Sequence, residues 1–179
     1  YTSIVDRMSG ELCDALMETH NGQAILETIE TAGLFMMPLD STRQWYRYHH
    51  LFAEMLRLYL KRGYPDQVQR LHEKASSWYE QEHLLEEAIR HGLIAQDYER
   101  SAGLIETAFQ HRDWIHHDMH HLLMWFEALP VEVAGSHPRL ILAYAWLLLE
   151  LFSERWDQIE VLLRQVEHLL TASASNMAY

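Results

Sequence analysis

The stretch Leu34–Arg62, LFMMPLDSTRQWYRYHHLFAEMLRLYLKR, changes its period once, and that change decides the fold. Leu34 to Leu39 is a short apolar run, Asp40-Ser41-Thr42-Arg43 is a polar turn, and Trp45 to Tyr48 is dense in aromatic side chains that favour a pleated backbone. Together they predict a β-hairpin. From His49 the spacing becomes helical. Tyr48, Leu51, Phe52, Met55 and Tyr59 recur at steps of three and four, which predicts an amphipathic helix with these residues as its apolar face and a stop at Gly63.

Upstream, Ile4 to Met8 reads as a first short helical piece, and Ser9 with Glu11 as the cap and first turn of Leu12 to Met17. Asn21 and Gly22 open a further helix, Gln23 to Ala32, with Ala24, Ile25, Ile29 and Ala32 on one face and Gly33 as its stop. Helix, helix, hairpin with a wing-like turn, then helix is the order of a winged-helix domain. In a DNA-binding winged helix the helix before the hairpin enters the major groove. Here Asn21 to Thr31 holds no Lys or Arg and carries Glu27 and Glu30.

After Gly63 every segment has helical periodicity. Pro65 suits the first turn of a helix carrying Val68, Leu71, Ala75 and Trp78. Leu85, Ala88, Ile89 and Gly92 mark the next. Asp97 can cap a third, with Ala102, Ile105, Ala108 and Phe109 inward, and segments near His117–Leu129, Pro138–Phe152 and Arg155–Leu170 follow. Helices of this length joined by short turns pack as antiparallel pairs, and successive pairs make a helical array. Ala75 and Trp78 have the spacing of Ala143 and Trp146, 68 residues later, twice the 34-residue tetratricopeptide period, but nothing comparable stands at the midpoint. The expected fold is therefore mainly α: a winged-helix-like domain over 1–63 with one small hairpin, then tetratricopeptide-like helical pairs over 64–179 that continue beyond the chain. From Thr171 onward the sequence, small and polar, reads as a loop or the frayed start of another helix.

The 179 residues carry a net charge of −12, unevenly placed. Residues 1–63 hold 6 basic and 8 acidic side chains, whereas 64–179 hold 8 and 18. The second part lacks the clustered Lys and Arg that contacts to phosphate backbones need. A single cysteine, Cys13, excludes an internal disulfide and fits a reducing compartment, so a cytoplasmic location is expected. It stands in an apolar series, as a small buried side chain would. The most apolar stretch, Leu140 to Phe152, is shorter than the roughly 20 residues that cross a bilayer, so it reads as a core helix and no membrane is expected among the partners. Tyr1 in place of Met suggests an excised middle piece.

The wording of several blocks goes further. TSIVDRMSGELCDAL at Thr2–Leu16, LFMMPLD at Leu34–Asp40 and WYRYHHLFAEML at Trp45–Leu56 resemble the large ATP-binding LuxR-type bacterial transcription activators of the MalT-like family. The resemblance continues through LHEKASSWYE at Leu71–Glu80, EEAIRH at Glu86–His91 and WFEALP at Trp125–Pro130. It implies a signal-transducing ATPase in which a winged helix and a helical-repeat sensor link a nucleotide domain to a DNA-binding end. The chain itself has no GxxxxGK[ST] phosphate loop, so no catalysis and no cofactor are expected within it, and ATP or ADP would be bound elsewhere in the full-length protein. The implied partners are the nucleotide-binding domain of its own chain, an unidentified small-molecule inducer or regulatory protein, and further copies on activation, with DNA met only through a C-terminal domain absent here. A free-standing helical scaffold binding a protein partner is the alternative.

Site residues are few. Tyr48-His49-His50 resembles the Met-His-Asp motif of related ATPases, which implies that His49 reaches a phosphate of bound ADP, although Tyr48 and His50 depart from the pattern. An imidazole beside a helix N-terminus suits an anionic phosphate. The competing reading is that His49 caps its helix or packs on Trp45. His117 and His121, at i and i+4, have a spacing that zinc sites use, though a solvated His-rich helix start is the simpler reading. Trp78, Trp125, Trp146 and Trp156 fall where helical spacing would bury them between paired helices.

Overall fold

The computed structural model describes residues 1–110, 119–152, 154 and 156–176, with side chains to 169. It is mainly helical with one two-stranded antiparallel sheet, and it forms two compact units, Tyr1–Gln96 and Asp97–Tyr179. The helical pair that follows Gly63 thus packs into the first unit, with the winged-helix part.

In the first unit, a 3₁₀ turn at Thr2–Ile4 leads to α1 (Gly10–Met17) and α2 (Gly22–Thr31). The helix expected over Ile4 to Met8 gives way after Ile4 because Met8 is extended. Its N–H and C=O both bond to Tyr46, each at 2.8 Å, which adds a third short edge to the hairpin. Ser9 caps α1 by accepting from the Leu12 N–H at 3.2 Å, a contact of about 1 kcal/mol. The first N–H of α2 is satisfied from outside the helix. Asp14 Oδ1 accepts from Gly22 N at 2.8 Å and from Thr19 Oγ1 at 2.9 Å.

The crossing of α1 on α2 requires two glycines: a Cβ on Gly22 would overlap the Gly10 carbonyl oxygen, and one on Gly10 would meet Gln23. The buried face of α2 is Gly22 and Leu26, with Ile25 and Ile29 half-buried. Ala24 and Ala32, expected inward, are exposed. Gly33, at φ +66°, ends the helix in a paired Schellman arrangement, its N–H bonded to Glu30 O and the Leu34 N–H to Ile29 O.

Strands β1 (Met36–Pro38) and β2 (Tyr46–Tyr48) pair Met36 with Tyr48 and Pro38 with Tyr46. Their turn is organised by Asp40, whose carboxylate accepts from Thr42 Oγ1, Gln44 N and Trp45 N. These bonds, the Thr42 hydroxyl first, hold that carboxyl below its usual range. Next come α3 (His50–Gly63), α4 (Pro65–Gln81) and α5 (Leu85–Ile94), with α4 and α5 packed together through Leu71, Ala75, Tyr79, Ala88 and Ile89. Ion pairs from Arg7 to Glu87 and from Lys74 to Glu18 join this pair to the segment before α1 and to the end of α1.

The second unit holds α6 (Tyr98–Gln110), α7 (Met119–Glu127), α8 (Val131–Ser136), α9 (Pro138–Leu151) and α10 (Trp156–Asn176). Its core joins Leu123 of α7, Ala145 and Leu148 of α9 and Ile159 of α10. His137, at the α8–α9 corner, faces Glu99 through Nε2 at 3.2 Å and Glu106 through Nδ1 at 3.3 Å. Two expectations fail here. Trp156 is 60% exposed at the start of α10, and the stretch read as a loop or the frayed start of another helix instead continues α10 to Asn176, since Ala and Ser are compatible with helix.

Candidate functional site

His49 stands between the sheet and α3. Its N–H donates to the Phe35 carbonyl at 2.7 Å, and its own carbonyl accepts from Ala53 N at 2.9 Å, so the backbone is fixed at both ends. Phe35 reaches that position with φ +51°, a left-handed conformation uncommon outside glycine and a strain the fold sustains at this junction. The imidazole makes no capping bond to α3 and lies half-buried, its ring centroid 4.5 Å from that of His50. Trp45, the other expected neighbour, meets Trp78 edge-on at 6.3 Å and carries the Arg7 guanidinium 5.0 Å from its ring. His49 thus stands at the N-terminus of a 14-residue helix, whose first N–H groups lack intrahelical acceptors and whose dipole favours an anion.

The apolar stripe of α3 runs opposite to expectation. Ala53 and Leu60 face the core, whereas Leu51, Met55, Leu58 and Tyr59 are exposed, Leu51 at 63% and Tyr59 at 67%. The inward side of α3, with Ala53 and Leu60, packs on the Thr2–Ile4 turn and on α4. Steps of three and four placed these residues on one face, but periodicity does not say which face looks outward.

On α2 the groove-facing role expected of a DNA reader is absent. Glu30 pairs with Arg43 Nε at 3.2 Å, and Gln23 donates to the Arg43 carbonyl at 3.0 Å, so the only basic side chain of the wing turn is bound to the acidic helix behind it.

Of the metal candidates, His121 lies exposed on α7 and His117 lies outside the described residues. Among the described residues no group of three His, Cys, Asp or Glu side chains is placed to hold a metal ion. Cys13 is buried, and burial first, then the neighbouring Asp14 charge, pushes its thiol up to about 12, so it is no nucleophile. Sequence reasoning missed His72 and His91, whose Nδ1 atoms are 2.8 Å apart between α4 and α5. The signal was present, since each adjoins a buried helical position, Leu71 and Gly92. It also missed the basic lining made by Arg57, Lys61 and Arg90, which come together only in the folded chain.

A sheet of two short strands edged by Met8, set after two helices and before a third, defines a winged-helix module, here continued by helical pairs. Residues 1–68 match the family model of the MalT winged helix domain, and this region is a MalT-like winged helix. The chain is 36% identical over 147 residues to the serine/threonine-protein kinase PknK of Mycobacterium tuberculosis, in strains CDC 1551 / Oshkosh and ATCC 25618 / H37Rv, and to PknK of Mycobacterium bovis. The match takes in 80% of this chain but spans only 13% of the length of each of these relatives. No helix among the described residues is long and apolar enough to cross a membrane.

Proposed function

We propose that this chain is a regulatory segment of a larger MalT-like protein, coupling the sensing of an inducer or partner protein to the nucleotide state of a domain elsewhere on the same chain. The observation that carries this reading is the MalT-like winged helix whose α2 is acidic and whose wing arginine is already paired, a module shaped for protein contact. Catalysis is not its task. ATP or ADP would be held by the nucleotide domain, with His49 directed to a phosphate of ADP. The exposed face of Leu51, Met55, Leu58 and Tyr59 lies on the same helix and would bury against that domain, since contiguous exposed apolar side chains mark interaction surfaces. The unit Asp97–Tyr179 would take the signal and relay it to self-association.

The output domain is the open choice. A LuxR-type DNA-binding end makes the parent an activator, whereas the relatives are kinases by name, and the coupling role is the same in both. Release of a fluorescent ADP analogue from the parent protein tests the reading. Deleting residues 97–179 should change the release rate severalfold and alter self-association. Unchanged release and unchanged assembly would favour a free-standing scaffold over a coupling segment.

A further inference from the structure

A hollow of about 270 Å³ in the unit Tyr1–Gln96 gathers the cationic side chains of Arg57, Lys61 and Arg90 around a single carboxylate, that of Asp6. Asp6 is divided between two guanidinium groups. Its Oδ1 accepts from Arg57 Nη2 at 2.8 Å and its Oδ2 from Arg90 Nη1 at 3.0 Å. Arg57 Nε donates to the Ser3 carbonyl at 2.6 Å, and Arg90 Nη2 lies 3.5 Å from His91 Nε2. Both arginines are thus held along one edge, and Arg57 Nη1 has no acceptor among the described residues. Lys61 has no ion-pair partner among the described residues.

One aspartate neutralises one cation, so the two arginines that tie Asp6 to α3 and α5 already exceed it by one charge, and Lys61 adds a second. Three cations thus face one anion in a chain whose net charge is −12. His72 at the floor reports the same field: after burial, the charges of Arg90, Lys61 and Arg57 are what hold its imidazole neutral. The rest of the wall is apolar, with Leu60, Val68 and Ile94.

We propose that this hollow binds a small organic phosphate, its dianionic head between Arg57, Lys61 and Arg90 and its compact apolar body against Leu60, Val68 and Ile94. A dianion balances the surplus positive charge, where a monocarboxylate would leave half of it. Guanidinium forks and an ammonium point charge are the groups that recognise phosphate. Arg57 and Lys61 occupy the second half of α3, away from the His49 end, so the site is independent of the nucleotide contact proposed for His49.

Amide NMR spectra of the whole chain, titrated with phenyl phosphate, benzoate and inorganic phosphate at matched ionic strength, test it. Saturable shifts at Asp6, Arg57, Lys61 and Arg90 are expected with phenyl phosphate, with benzoate and inorganic phosphate each about tenfold weaker or more. Lys61→Glu should weaken phenyl phosphate by about tenfold or more, and Lys61→Gln by less and with little change in melting temperature. Shifts that do not saturate, equal binding of benzoate, or wild-type affinity in Lys61→Glu would each overturn the site. Inorganic phosphate binding as tightly as phenyl phosphate would reduce it to an adventitious ion only.

Discussion

His72 of α4 and His91 of α5 face each other with their Nδ1 atoms 2.8 Å apart, both buried, and Tyr79 stacks on the His91 ring at 5.4 Å. One nitrogen must donate and the other accept, and burial favours the neutral form of both rings. Burial, then the Arg90 charge and, for His72, those of Lys61 and Arg57, lowers His72 to about 4 and His91 to about 3. The unfolded chain binds these protons near pH 6.5, before the folded one does. Their stabilisation is therefore complete above that pH and is lost as pH falls toward 4 and 3. Melting followed by circular dichroism should show the unit Tyr1–Gln96 losing on the order of a few kcal/mol between pH 7 and pH 4. The double variant His72→Phe/His91→Phe should flatten that slope. Either single variant leaves one buried nitrogen unpaired and should cost about 1–3 kcal/mol at neutral pH.

The winged helix should not read DNA. Asn21 to Thr31 has no basic side chain, and Arg43 is engaged by Glu30, so the module offers no phosphate-neutralising row. Fluorescence anisotropy with duplex DNA should show no binding tighter than the non-specific range of about 10⁻⁴ to 10⁻⁶ M, even at low salt. Sub-micromolar binding that weakens with salt would refute this.

Gly22 and Gly63 should behave oppositely. A Cβ on Gly22 meets the Gly10 carbonyl and the Cys13 side chain across the α1–α2 crossing, and backbone cannot yield as a side-chain tip can. Gly22→Ala should destabilise by about 1–3 kcal/mol. Gly63 has nothing within 4 Å of its Cβ position and no positive φ, so Gly63→Ala should be neutral or stabilising by up to about 1 kcal/mol. Chemical denaturation of the two variants checks both signs.

The hairpin, the caps and most helices were legible because their signals are local. The Leu34–Arg62 change of period gave β1, β2 and α3, and Ser9 and Gly33 act where residue type alone puts them. What escaped was long-range. Met8 reads as helical until its pairing with Tyr46 is known, and nothing in the spacing of Leu51, Met55 and Tyr59 says that the core side of α3 belongs to Ala53 and Leu60. The His72–His91 contact and the Arg57–Asp6–Arg90 cluster join residues 19 to 84 positions apart, a separation no periodicity carries. Of the site residues, His49 was placed by resemblance, since a histidine at a helix start has no spacing signal of its own.

His49→Ala separates a nucleotide contact from a structural one. The imidazole makes no capping bond to α3, and the two bonds that fix the residue, from its N–H to Phe35 and from Ala53 to its carbonyl, are backbone bonds that alanine retains. What the variant loses in the isolated chain is the ring contact with His50, so its stability should change by less than about 0.5 kcal/mol. In the parent protein the loss falls on ADP. A hydrogen bond to a charged group is worth about 1.5–3 kcal/mol, so ADP should leave roughly tenfold faster or more, and activation should need less inducer. His49→Gln, which keeps a donor of similar reach, should recover part of the retention. Destabilisation of the isolated chain by about 1 kcal/mol or more, with ADP retention in the parent unchanged, would make His49 a structural residue and remove it from the nucleotide site.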